Sequence, residues 1–113
     1  VRKYEVRVTP DAIADIEELA NFYFELVGES SAARFTEDVL ATLDNLDTFP
    51  ESNMLFDEEY ELRRVQLKYH KVSVVYLVDN GVYEVVAFGV FHTLREPNSY
   101  TSRLVDRLKS LGQ

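Results

Sequence analysis

Between Leu62 and Pro97 the chain reads LRRVQLKYHKVSVVYLVDNGVYEVVAFGVFHTLREP, and no other stretch constrains the fold as strongly. Val, Tyr, Phe and Leu are dense throughout, and the strong breakers fall at Lys68-Tyr69-His70 and Asn80-Gly81, so the segment predicts three consecutive strands. Asn-Gly between two apolar runs tolerates the positive φ angles of a two-residue type I′ turn. It therefore predicts a tight hairpin joining strands over Lys71–Asp79 and Val82–Phe91. Arg63 and Arg64 open the block, Arg95 closes it, and His92 lies three residues before Arg95. In an antiparallel meander the first and third strands run the same way, so the two arginine ends fall at opposite ends of the sheet unless twist brings them near.

Upstream, Lys3–Val8 alternates Tyr4, Val6 and Val8 with charged residues, the pattern of a strand with one solvated face. Thr9-Pro10-Asp11 then supplies an N-cap, a proline at the first helical position and an acid suited to the helix dipole. A helix is predicted from Pro10 to about Val27, with Ala12, Ile16, Leu19, Tyr23 and Leu26 on its apolar stripe and Ile13, Ala20, Phe24 and Val27 widening it. Gly28 suits a helix-closing position, Ser30 or Ser31 can cap the next helix, and that second helix is predicted over about Ser31–Thr48, ending before Pro50. Its apolar face carries Phe35, Val39, Leu43 and Leu46, with Ala32 and Leu40 beside them. The short connection makes the pair an antiparallel hairpin. Residues 51–61 have no periodicity and read as a loop. A final stripe, Leu104, Val105, Leu108 and Leu111, predicts a C-terminal helix. The expected fold is α+β, ordered β-α-α-β-β-β, an antiparallel sheet against an N-terminal helical hairpin. Ile16, Leu19, Tyr23, Phe35, Val39 and Leu43 are expected in its core.

At 113 residues the chain suits one domain, 1–113, with a single core. The absence of cysteine removes disulfides, thiolate catalysis and cysteine zinc sites. No apolar run approaches the roughly 20 residues of a membrane span, and VRKYEVRV lacks a signal-peptide core, so a cytoplasmic protein is expected. The net charge of −8 is unevenly spread: residues 9–61 hold fifteen acids and one base, Arg34, whereas residues 62–113 hold eight bases and four acids. The acid run Asp57-Glu58-Glu59 lacks the alternating ligands and glycine of a calcium loop and reads as solvated. With no phosphate-binding glycine loop, metal motif or nucleophile elbow, no cofactor or metal is expected.

The element order, and Tyr4 and Val6, Thr9-Pro10-x-Ala12, Asp15-Ile16, Phe35, Leu43 with Leu46, Phe49-Pro50, Leu62-Arg63, Tyr69-x-x-Val72 with Val75-Tyr76, and His92-x-x-Arg95-x-Pro97, resemble the RelE/ParE superfamily of toxins from bacterial type II toxin–antitoxin modules. The resemblance implies one of two activities on a shared fold. ParE-like members, the plasmid-stabilisation branch, poison DNA gyrase and are not nucleases; RelE-like members are endoribonucleases that cut messenger RNA on the ribosome. Both imply a cognate antitoxin as partner and growth inhibition when it is missing. The long hairpin and the FP, LR, Y and H-x-x-R-x-P arrangement resemble the ParE branch more closely. An inactive, antitoxin-binding relative is a third reading, and a homodimer stays open.

For the nuclease reading, Arg63, His92 and Arg95, with Tyr100 as a further acid, are the candidate catalytic residues. A phosphodiester needs cations at the phosphate and an acid and a base at the reacting oxygens. For His92 the alternative is a structural histidine bonded to backbone at a strand end. For Arg63 it is a salt bridge to the acidic loop; only one of Arg63 and Arg64 can share a given sheet face. For partner binding the candidates are Arg63, Arg64, Arg95, Arg103 and Arg107, on the basic sheet and C-terminal side, facing an acidic antitoxin segment. Tyr69, Tyr76 and Tyr83 are expected to pack, and His70 to be solvated in a turn.

Overall fold

A computed structural model describes residues 3–94 and 99–111. Its elements are β1 (Glu5–Val8), α1 (Pro10–Leu26), α2 (Glu29–Asp44), β2 (Leu55–Asp57), β3 (Leu62–Gln66), β4 (Val72–Asp79), β5 (Glu84–His92) and α3 (Ser99–Leu111). Short 3-10 turns at Asn45–Asp47 and Pro50–Ser52 connect α2 to β2. The fold is the expected α+β arrangement. The sheet order is β1-β5-β4-β3-β2, antiparallel except at one edge, where β1 runs parallel to β5. β2, inside the stretch expected to be loop, pairs with β3 through only three residues and an irregular register. A segment that short carries no alternation to read.

Thr9 caps α1 as its sequence demands, its Oγ1 accepting from the Ala12 N–H at 3.2 Å. The helices are joined by Val27 and Gly28 alone. Gly28, at φ 122°, is the N-cap of α2 and takes a backbone angle that L side chains rarely adopt. α2 therefore starts at Glu29, two residues before the expected start, and Ser31 lies buried in its first turn.

The main core lies between hairpin and sheet. Leu19, Phe35, Val39, Leu43 and Leu46 meet Val72, Val74, Tyr76, Val85, Ala87 and Val90, with Ile16 and Tyr23 packed alongside. All six expected core residues are there. The apolar stripe is narrower than its sequence suggested, because Ile13, Phe24, Leu26, Val27 and Leu40 are exposed. On the opposite sheet face Leu62, Val75 and Phe88 are covered by Leu104 and Leu108 of α3.

The hairpin between β4 and β5 departs from expectation. Asp79 pairs with Glu84, leaving a four-residue loop, Asn80–Tyr83, in which Tyr83 rather than Gly81 takes the left-handed angle, φ 53°. Neighbouring β1 holds this wider loop: Glu5 donates its N–H to the Tyr83 carbonyl at 2.9 Å, and the Tyr4 hydroxyl donates to Asn80 Oδ1 at 2.6 Å. Asp79 Oδ1 accepts from the Gly81 N–H at 2.9 Å. Tertiary partners for the loop residues thus override the local two-residue turn preference.

β5 contains a bulge. Val75 pairs with Gly89 and Tyr76 with Ala87, so Phe88 is an extra residue that bends the strand and shifts its facing pattern. Ala87 and Val90 both point to the main core, while Phe88 joins the opposite cluster.

Candidate functional site

The signature residues of the sheet first meet at a loop. Arg63 pairs across the sheet with Tyr76, and both reach the turn that follows α2. The Arg63 guanidinium donates through Nη1 to the carbonyls of Glu51, at 3.0 Å, and Asn53, at 2.8 Å, and lies 3.9 Å from the Glu51 carboxylate. The Tyr76 hydroxyl donates to the Pro50 carbonyl at 2.6 Å and accepts from Asn53 Nδ2 at 3.0 Å. Burial pushes the Tyr76 phenol above the ordinary tyrosine value; the Asn53 hydrogen bond and the Arg63 charge partly oppose this. The FP, LR and Y residues are therefore one device. They hold a loop whose first residue, Phe49, stands in the left-handed region at φ 54°, with 64% of its surface exposed. Such an angle is costly for a residue with a Cβ and persists where surrounding contacts over-determine it. Met54 and Leu55, on the same loop and the strand that leaves it, are also exposed.

A second device closes the bulge in β5. β1 ends at Val8, and the last backbone bond across that edge is Thr9 N–H to the Ala87 carbonyl, so β5 continues without a strand neighbour there. Asp15 of α1 accepts from the Val90 N–H at 3.0 Å, and Arg107 of α3 donates to the Phe88 carbonyl at 3.2 Å. The two side chains pair bidentately at 2.6 and 3.0 Å, and both are largely buried. Arg107 also lies 3.9 Å from Asp11. The backbone groups freed by the bulge are satisfied by an ion pair that ties α1 and α3 to the strand edge.

The expected catalytic set is spread out. Arg63 sits in the row Arg63, Tyr76, Ala87, whereas His92 pairs with Val72, four residues along β4. At roughly 3.4 Å per residue that is about 14 Å along the strand, and two strand spacings of about 4.8 Å separate them laterally. His92 Nδ1 accepts from the Leu94 N–H at 3.2 Å, the strand-end bond of the alternative reading. Arg64 pairs with Val75 and faces the α3 side of the sheet. Arg103 is exposed on α3, and Tyr100 falls in the first turn of that helix, its side chain outside the described residues. Arg95 lies outside the described residues. Of the candidates for partner binding, Arg63 and Arg107 are thus committed to internal contacts, with 20% and 16% of their side chains exposed.

His70 corrects its expectation. It is not solvated: its side chain is 15% exposed, its ring meets Tyr23 and Phe35 edge-on, and its Nδ1 lies 2.7 Å from Asp38 Oδ2. Tyr69, expected to pack, is 74% exposed. No site role is predicted for Asp15 or Asp38 from the sequence. The signal that could have found them is helical spacing: Asp15 lies three after Ala12 and four before Leu19, and Asp38 three after Phe35 and four before Thr42. Both stand on the apolar side, where an acid requires partners.

Across residues 6–97 the chain matches the family model of the ParE toxin of type II toxin–antitoxin systems, parDE. The chain belongs to the ParE toxin family. It is thus a type II toxin–antitoxin toxin of the RelE/ParE superfamily. No curated protein matches it significantly. Among solved structures it is similar to the chromosomal ParDE toxin–antitoxin system from P. aeruginosa, 18% identical over 80% of this chain and 96% of that one, with a TM-score of 0.70. It is also similar to an arginine-to-alanine double mutant of the E. coli toxin RelE in the free state, 17% identical over 93% and 97%, with a TM-score of 0.61. A third similar structure is the RelBE2 complex from Mycobacterium tuberculosis, 19% identical over 81% and 93%, with a TM-score of 0.58. These likenesses carry the fold. No helix among the described residues is long and apolar enough to cross a membrane.

Proposed function

We propose that this toxin arrests growth by binding and poisoning DNA gyrase, and that a cognate antitoxin holds it inactive. The observation that carries the reading is the use made of Arg63. A nuclease would need this cation at a phosphate; here it is bonded to two carbonyls and presents Phe49, Met54 and Leu55 to solvent. Exposed apolar side chains on a braced loop suit a protein partner, aromatic residues being favoured anchors at interfaces. The antitoxin fits the basic side, where Arg103 and Lys109 are exposed on α3.

Induced expression without antitoxin tests this in cells. The DNA-damage response should rise before translation falls. Phe49→Ser should weaken growth inhibition at least about tenfold, the loss expected of an aromatic anchor, while leaving the circular dichroism spectrum unchanged. Growth arrest that begins with messenger RNA cleavage in the ribosomal A site, insensitive to Phe49→Ser, would replace this reading with the RelE-like one.

A further inference from the structure

The turn between β3 and β4 and one face of α2 line a groove of about 600 Å³. That volume lies within the range of small-molecule sites. Three features of its lining are unusual for a solvated turn.

The first is an oriented imidazole. Asp38, 6% exposed, accepts from the Tyr69 N–H at 2.9 Å and meets His70 Nδ1 at 2.7 Å. A carboxylate at Nδ1 fixes the neutral ring with its proton there and leaves a lone pair on Nε2. Nε2 has no protein partner, and no buried side-chain nitrogen or oxygen among the described residues lacks one, so Nε2 is open to solvent. The second is a pair of cations without an acid partner among the described residues. Arg34, the sole base among residues 9–61, lines the groove and makes no ion pair or hydrogen bond among the described residues, although acids are abundant on both helices. Lys68 reaches no acid either; its Nζ lies 5.2 Å from the centroid of the Tyr69 ring. The third is Tyr69 itself, which offers most of its ring to solvent beside both.

An acceptor nitrogen, two cations and an open aromatic face within one groove match the parts of one kind of ligand. We propose that the groove binds a ribonucleotide: the base stacks on Tyr69, the phosphate lies between Arg34 and Lys68, and a ribose hydroxyl donates to His70 Nε2. Glu37, on the same groove, accepts from an exocyclic amino group, which favours adenine, guanine and cytosine over uracil. The inference concerns α2 and the β3–β4 turn, and is independent of which macromolecule the Phe49 loop engages.

Titration of the full-length, isotopically labelled toxin with AMP, CMP, GMP and UMP, followed by amide chemical shifts, tests it. AMP should shift Arg34, Tyr69 and His70 saturably, UMP should bind most weakly, and adenosine and inorganic phosphate alone should each bind more weakly than AMP. Arg34→Ala and Tyr69→Ala, both at exposed positions, should keep the spectrum of a folded protein and weaken AMP binding roughly tenfold each, stacking and phosphate contacts being of that order. A short single-stranded RNA that binds tighter than AMP at the same amides identifies a strand as the source of the nucleotide, and equal affinity identifies the free nucleotide. Absence of saturable shifts in the groove, shifts only elsewhere on the surface, or AMP affinity unchanged by both substitutions would overturn the proposal.

Discussion

Two buried polar devices give individual residues their importance. Removing Arg107 leaves the Asp15 carboxylate buried without its partner, and truncating one member of such a pair costs about 3–5 kcal/mol. Arg107→Met should therefore lower denaturant stability by about that amount. Adding Asp15→Asn should recover part of the loss, because the amide stays an acceptor for the Val90 N–H without a charge. A double mutant less stable than Arg107→Met alone would contradict the clamp. At the other device, Tyr76→Phe leaves the Pro50 carbonyl without its donor and should cost about 1–3 kcal/mol. Because the folded phenol titrates above the unfolded one, the unfolded chain loses its proton first as pH rises past about 10, and stability falls from there upward. The wild-type protein should show this alkaline loss in excess of Tyr76→Phe, with no difference in slope below that pH; identical slopes in thermal melts across the alkaline range would refute it.

At the scale of elements, the hairpin and sheet share one core, and Leu43→Ala should cost about 2–5 kcal/mol by lost transfer energy and the cavity left behind. Unchanged urea stability would mean that α2 packs through another face. The main elements were legible because their signals are local and periodic: Thr9-Pro10 for the start of α1, the four-residue steps through Phe35, Val39 and Leu43, and the dense β-branched run through β4. What was illegible depends on contacts distant in sequence. The Asn80-Gly81 turn widened because β1 binds it, β1 runs parallel to β5, and β2 exists only as a short edge partner of β3. The site residues were legible in identity but not in role. Arg63 and Tyr76 stood out in sequence, but the carbonyls they bond belong to a loop some 10 to 26 residues earlier, and no spacing rule joins them.

The whole molecule is electrically two-sided, with an acidic hairpin and a basic second half whose charge is partly neutralised within the fold by Arg63 and Arg107. Antitoxin association should consequently slow as salt rises, since long-range attraction between exposed charges is screened over about 10 Å at 0.1 M. Association rates flat from low to high salt would place the antitoxin away from the basic side. We propose that this toxin acts by engaging a protein and not by cutting RNA. Purified toxin added to gyrase supercoiling reactions, in parallel with ribosomes programmed with messenger RNA, tests it most directly. Supercoiling should be inhibited, with antitoxin or the Phe49→Ser substitution removing the inhibition and the message staying intact; cleaved message in the A site and unimpaired supercoiling would contradict this mode of action.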